Sequence, residues 1–167
     1  MELQNDTTKP VGQADLFSAE RPAYWHRQTA PWSWLLAGIG AIILASAVLA
    51  RDAVADWMML PAGVLMCLLA SAFHHLTVKD LGLRLSVRFG PVPLFGLSIP
   101  YGDIVRVEAG RTTLLDGWGI HYSLRGGWVW NIYGRECVVI HRRRSILRLG
   151  TDDMENLIAF IRSRTQE

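Results

Sequence analysis

"WSWLLAGIGAIILASAVLA", Trp32 to Ala50, is 19 residues long and contains no Asp, Glu, Lys or Arg. As a helix rising about 1.5 Å per residue it covers roughly 28 Å, close to the hydrocarbon thickness of a bilayer. A second run, Trp57 to Phe73, adds 17 uncharged residues. It reaches spanning length once Val54 to Asp56 and His74 are included. Two helices this apolar inside a soluble core would need covering on every side. A chain of 167 residues with a sheet still to build has no layer to spare for that. The expectation is therefore a pair of membrane helices, 32–50 and 54–74, within a hairpin segment 32–75.

Working outward, the six residues "RDAVAD" (Arg51 to Asp56) leave room only for antiparallel helix ends, so both termini face one side. Positive charge selects that side. The connection carries Arg51 alone, whereas Lys9, Arg21 and Arg27 precede the first span and Lys79, Arg84 and Arg88 follow the second. Both termini are expected in the cytoplasm, with the chain integral to the cytoplasmic (inner) membrane. Trp32, Trp34 and Trp57 sit where interfacial aromatic anchors belong. A cleaved signal peptide fits poorly, because 31 largely polar residues come first and the apolar run is too long. No ionisable side chain lies deep in either span, which argues against an ion or proton path.

Small residues recur at helical spacing in the first span: Ala37, Gly38, Ala41 and Ala45. They let helices approach closely. Their expected partner is the second span, through Ala62, Gly63 and Ala70; a second copy or another membrane protein is the alternative. Pro61, near the start of the second helix, costs little there.

Residues 1–31 hold Pro10, Pro22 and Pro31 with no sustained period, which predicts an irregular cytoplasmic tail. Phe17, Tyr24 and Trp25 leave two options for its last third: lying along the membrane surface, or packing on the soluble domain.

From Leu76 to the end, 76–167, the period becomes two. "LGLRLSVRFG" alternates Leu83, Leu85, Val87 and Phe89 with Arg84, Ser86 and Arg88, and similar runs follow in "IVRVEAG", "GIHYSLRG", "WVWNIY", "CVVIH" and "ILRLG". Glycine-rich breaks between short alternating runs predict an antiparallel, six- or seven-stranded curled sheet or barrel with one buried face. After Gly150 the period lengthens again. Met154, Leu157, Ile158 and Ile161 share one helical face, Asp152 and Glu155 form a capping-box pattern, and arginines occupy the last turn.

Strands followed by one C-terminal helix is the order of a pleckstrin-homology domain. On "FGP" (Phe89–Pro91), "IPYGDIVRVE" (Ile99–Glu108), "GWGIHY" (Gly117–Tyr122) and "LRLGTDDMENLIAFI" (Leu147–Ile161), the segment from Leu76 to Arg164 resembles the bacterial PH-like domains that follow a pair of membrane helices. The resemblance implies an α+β PH-like domain, capped by its helix and tethered to the membrane. It implies no reaction. Many such domains have a short Gly- or Asp-containing turn where this chain has Arg142, Arg143 and Arg144.

Residues that would carry catalysis do not assemble in the sequence. His74 and His75 fall where the second span meets water, and His121 and His141 lie on separate strands. All four read as interfacial or solvent-facing. No paired carboxylates, activated Ser or Cys, or phosphate-cradling glycine loop accompanies them. Cys67 and Cys137 lack metal or disulfide spacing and read as packing residues. No metal and no cofactor is expected, and an enzyme would need dispersed catalytic residues. Trp118, Tyr122, Trp128, Trp130 and Tyr133 are expected mainly in the core. With 13 Lys and Arg against 9 Asp and Glu after Leu76, the charge is too modest for a nucleic-acid partner.

What remains is a binding or assembly module, with a membrane protein or a second copy as partner. Arg142, Arg143 and Arg144 occupy a hairpin tip. Helped by Arg148 and Lys79, they are expected to contact anionic lipid headgroups or an acidic partner face; a solvated turn is the alternative.

Overall fold

A computed structural model describes residues 23–50, 53–91, 94–113 and 116–165. Strand β1 (Trp25–Thr29) leads into helices α1 (Trp32–Ala50) and α2 (Ala53–Ala72). Strands β2 (His75–Asp80), β3 (Arg84–Phe89) and β4 (Gly96–Pro100) follow, then a 3₁₀ turn at Tyr101–Asp103. Next come β5 (Ile104–Arg111), β6 (Gly119–Tyr122), β7 (Trp128–Asn131), β8 (Glu136–Arg142), β9 (Ser145–Gly150) and helix α3 (Met154–Thr165). The architecture is α+β, with a four-stranded sheet ordered β1-β2-β3-β4 and a five-stranded sheet ordered β5-β8-β9-β7-β6.

The first sheet is antiparallel throughout, and the alternation in β3 puts Leu85, Val87 and Phe89 inside while Arg84 and Arg88 stay exposed. These side chains meet Trp130, Ile132, Val138, Ile140, Leu147 and Leu149 from the second sheet, and Leu157, Ile158 and Ile161 of α3 close the core. Each fully buried aliphatic side chain contributes about 1.5–3 kcal/mol of transfer free energy. The strands of the two sheets cross. The ends of β8 and β9 that carry Glu136 and Gly150 lie near β1, where Gln28 Nε2 donates to the Tyr133 carbonyl at 3.1 Å. The opposite ends, carrying Arg142 and Ser145, share a groove with Leu97 of β4.

Four expectations need correction. The tail expected to be irregular through residue 31 contains β1, which pairs along its whole length with β2 (Trp25↔Lys79 to Thr29↔His75). Packing on the domain is thus the option realised for residues 25–29, and the helices are an insertion between paired strands. Phe17, by contrast, lies outside the described residues. Second, eight strands follow the helices, and β7 runs parallel to β9, because β9 enters between β8 and β7. Simple alternation cannot reveal strand order. Third, among the described residues α1 is the one helix long and apolar enough to cross a membrane, and the described apolar part of α2 is the shorter Asp56–Ala72. Fourth, Asp152 and Glu155 do not close a capping box. His26 Nε2 lies 2.6 Å from Asp152 Oδ1, while Asp153 precedes the helix and accepts from the Tyr24 hydroxyl at 2.9 Å.

Only 17% of the α1 span is buried within the chain, whereas the core helix of a soluble protein is mostly covered. Its buried residues, Ser33, Gly40 and Ala47, recur every seven positions and face α2, where Gly63 and Ala70 are buried. A Cβ added at Gly40 would sit 2.7 Å from Cys67 Sγ and 3.2 Å from the Gly63 carbonyl oxygen, so the backbones meet there. Gly38 has nothing within 4 Å. Gly40→Ala should therefore destabilise the helical pair by about 1–3 kcal/mol. Gly38→Ala should change stability by less than about 0.5 kcal/mol. Unfolding of the full chain in detergent, followed by circular dichroism, measures both; equal effects would mean the helices do not cross at Gly40.

Candidate functional site

Two regions of the surface combine unusual exposure with unusual chemistry: the base of the helical pair, and the end of the β8–β9 hairpin. The base is built on the β1–β2 ladder. The chain leaves the sheet at Thr29 and returns opposite it at His75, and the Ala30 amide donates to the His74 carbonyl at 3.0 Å. Trp32, the first residue of α1, donates its indole N–H to the Ile132 carbonyl at 2.9 Å and stacks on Trp118, with centroids 6.2 Å apart. Phe73 packs against Phe89 and Phe95 at 5.4 and 5.6 Å. Gly90 has φ +64°, and any Cβ there would lie 2.5 Å from the Ala72 carbonyl oxygen, so the end of β3 touches the end of α2. Both sheets thus hold the helices.

Ser33 and His74 approach to 3.0 Å, yet they do not form a nucleophile pair. The Ser33 hydroxyl donates to the Ala30 carbonyl at 2.7 Å and is buried, so its proton is committed to the start of α1. His75, expected to face the interface or solvent, is 8% exposed. Pairing with Thr29 in the ladder puts it inside the junction. Burial, with lesser contributions from Arg27 and His74, lowers its pKa below the ordinary 6.5. Of the two strand histidines, His141 Nε2 lies 2.8 Å from Glu108 Oε1 on the surface of β5 and β8, while His121 Nε2, on β6, is buried without a partner. They do not come together in one site.

Around this base lies a rim of exposed aromatic side chains. Trp118 is 53% exposed even with one face on Trp32, and Trp34, Leu94, Phe95 and Tyr133 are exposed with it. The expectation of a core role fails for Trp118, Tyr122, Trp128 and Tyr133; Trp130 alone of the five is buried. Their strands are short, and β6 is a sheet edge, so alternate positions there face outward. The Trp118 loop is fixed by Asp116. That carboxylate accepts from the Thr113 amide and hydroxyl, both at 2.8 Å, from Ser123 Oγ at 2.6 Å, and from the Arg125 guanidinium. Burial alone would raise its pKa, but these donors outweigh burial and hold it well below the usual carboxylate range.

At the β8–β9 end, Arg142 and Ser145 are register partners, leaving Arg143 and Arg144 as a two-residue turn. The Arg143 amide donates to the Asp103 carbonyl at 3.0 Å. A cavity of about 400 Å³ is lined by Asp103, the three arginines and Ser145. Beside it runs an apolar groove of about 370 Å³ walled by Leu97, Ile120, Trp128, Trp130, Ile146 and Leu147, and sharing Arg142 and Ser145 with the polar cavity. Arg142 Nε is buried with no hydrogen-bond partner. Among the described residues no carboxylate forms an ion pair with any of the three.

Arg148 and Lys79, grouped with this cluster on charge alone, stand apart from it. Arg148 donates to the Gly126 carbonyl, and Lys79 lies on β2 opposite Trp25. Of the small residues assigned to helix packing, Ala37 borders the α1–α2 crevice with Cys67 and Ala70, whereas Gly38, Ala41 and Ala45 lie on the exposed side of α1. Ala62 is exposed too. Spacing by four marked a real stripe, but the face toward α2 repeats by seven. The apolar groove was not foreseen, since its walls come from four separate strands; the unexplained tryptophans of "WVW" were the available signal. Cys137 is buried, which pushes its thiol up to about 11, and Cys67 lies between the helices. Among the described residues no group of three His, Cys, Asp or Glu is placed to hold a metal ion.

Two tests follow from these environments. The unfolded chain protonates His75 near its ordinary value of 6.5, before the folded chain does, so stability present above that pH is lost as pH falls through the lowered value. Thermal unfolding of the detergent-solubilised chain from about pH 8 to pH 5 should show a decline that His75→Gln reduces. An undiminished slope would place the decline elsewhere. Asp116→Asn should cost about 2–3 kcal/mol, because a buried acceptor of several hydrogen bonds is lost. Its tryptophan emission should also shift to the red, since the Trp118 loop is released from Trp32. Comparison of the chain with protein-family models, curated proteins and solved structures found no match.

Proposed function

We propose that this chain is a membrane-anchored, non-enzymatic binding and assembly module. It carries a PH-like domain on the cytoplasmic face of the inner membrane, and it serves a larger membrane complex or an assembly of its own copies. The observation that supports this best is the insertion of the helical pair between two hydrogen-bonded strands. A catalytic domain on a tether needs only a linker. Here both helix ends are built into the sheet, which suits a module whose orientation at the membrane matters. In this reading α2 spans the bilayer together with α1, and both termini lie in the cytoplasm.

The PH-like assignment draws support from the order of elements, a curled pair of sheets followed by one C-terminal helix packed on β5 and β8. The helical insertion after β1 and the parallel β7–β9 pair are departures from the simplest version of that order. The assembly reading draws support from α1, whose Gly38, Ala41 and Ala45 face away from α2 and offer a small-residue surface to a further helix. A second reading, binding of anionic headgroups, is favoured by the arginine-lined cavity.

Topology and mass test the proposal together. With Cys67 and Cys137 replaced by alanine, a membrane-impermeant thiol reagent applied to intact cells should label Asp52→Cys and leave Ser163→Cys unlabelled. The reverse pattern overturns the orientation. After extraction in mild detergent, the measured protein mass should exceed that of one 18.7 kDa chain, through self-association or a co-purifying membrane protein. A lone monomer in every mild detergent overturns the assembly role.

A further inference from the structure

The two cavities at the β8–β9 end share a wall. Arg142 and Ser145 line both, so a ligand bridging them meets three guanidinium groups at one end and two tryptophans with four aliphatic side chains at the other. That is the signature of a site for an anionic amphiphile. We propose that the groove holds one acyl chain of an anionic phospholipid, with its phosphate bound by Arg142, Arg143 and Arg144.

The charge balance agrees. Asp103 lines the polar cavity and offsets one of the three arginines, leaving an excess of positive charge to face the single negative charge of a phosphodiester. Arg142 Nε is a buried donor without an acceptor, an arrangement that a phosphate oxygen would complete, and guanidinium groups engage phosphate through paired N–H donors. The apolar half agrees as well. Trp128 is large and half exposed on a wall that no part of the described chain covers.

Direction favours a lipid over a free peptide. Within the second sheet β6 lies on the side of the helices, since Trp118 beside it stacks on Trp32, and β5 lies on the far side under α3. Leu97 and Ile120 therefore mark the end of the groove nearer the bilayer. The arginines of the β8–β9 turn stand two to three strand spacings beyond β6, roughly 10–14 Å. A lipid drawn partly out of the leaflet would enter chain-down and headgroup-outward, the polarity it already has in the membrane. The tether supplies a high local concentration of such ligands.

This inference rests on the membrane placement proposed above, and the two can fail separately. Loss of the chain into the soluble fraction on alkaline carbonate washing would refute the placement without touching the groove. The groove is tested with the full chain in neutral maltoside detergent, titrated by native mass spectrometry with dioctanoyl phosphatidylglycerol and dioctanoyl phosphatidylcholine. One phosphatidylglycerol per chain should bind about tenfold more tightly than phosphatidylcholine, in line with a few arginine contacts. Inorganic phosphate and hexaglutamate should not displace it. The combined Arg142→Gln, Arg143→Gln and Arg144→Gln variant should bind both lipids alike. Ser145→Trp, which fills the shared wall, should bind neither; Leu97→Glu, on the free edge of β4, gives the same result should Ser145→Trp fail to fold. Equal binding of the two lipids by the parent chain overturns the proposal, as does unaltered phosphatidylglycerol binding by folded variants. Displacement by hexaglutamate reassigns the site to an acidic peptide, and displacement by inorganic phosphate reduces it to a simple anion site.

Discussion

The β1–β2 ladder is the constraint on which everything else depends. Five register pairs, from Trp25↔Lys79 to Thr29↔His75, bring together residues separated by the entire helical segment. Closing a loop of that length costs entropy that five pairs of an edge strand recover only with help. The help comes from the hairpin itself, where Gly40 and Gly63 let the two helices meet, and from the ring of aromatic contacts that Trp32 and Phe73 make with both sheets. Ladder, hairpin and aromatic ring are mutually supporting, and none would hold in isolation.

That arrangement also sets what lies beside the helices. The strands of the second sheet cross those of the first, so an edge strand, β6, and the loop carrying Trp118 are turned toward the start of α1. Exposed aromatics there are suited to the headgroup region, where an apolar ring with a polar edge is best accommodated. At the opposite side the last turn of α3 is tied down by Arg164, which reaches Asp80 at 3.0 Å, with Tyr101 donating to the same carboxylate at 2.8 Å.

Local patterns in the sequence carried far. Uncharged runs located both helices, period two located the strands, and the face of Leu157, Ile158 and Ile161 on α3 is buried as its spacing implies. What the sequence hid was every feature decided by distant pairing. Residues 25–29 look like a polar tail because β1 is an edge strand of five residues, too short for alternation to stand out. The small-residue stripe of α1 was visible, but which of its sides meets α2 depends on the crossing at Gly40. Arginine 142–144 announced themselves as a tip. Their apolar neighbour did not, because Leu97, Ile120, Trp128 and Leu147 come together only when β4 crosses the second sheet. Arg148 shows the converse: close in sequence to the cluster, it is turned to the Gly126 carbonyl.

The position of β9 has a consequence for how the molecule is made. Both neighbours of β9, β8 and β7, precede it in the chain, and it joins one antiparallel and the other parallel. Until residues 145–150 leave the ribosome, the β6–β7 hairpin has no contact through the sheet with β5–β8. The helical segment, by contrast, emerges early and can pair its two helices while the sheet is still two separate ribbons. Closure of the two-sheet domain therefore comes last, with the final strand acting as the keystone. Any truncation that removes β9 would leave a chain whose second sheet can never close.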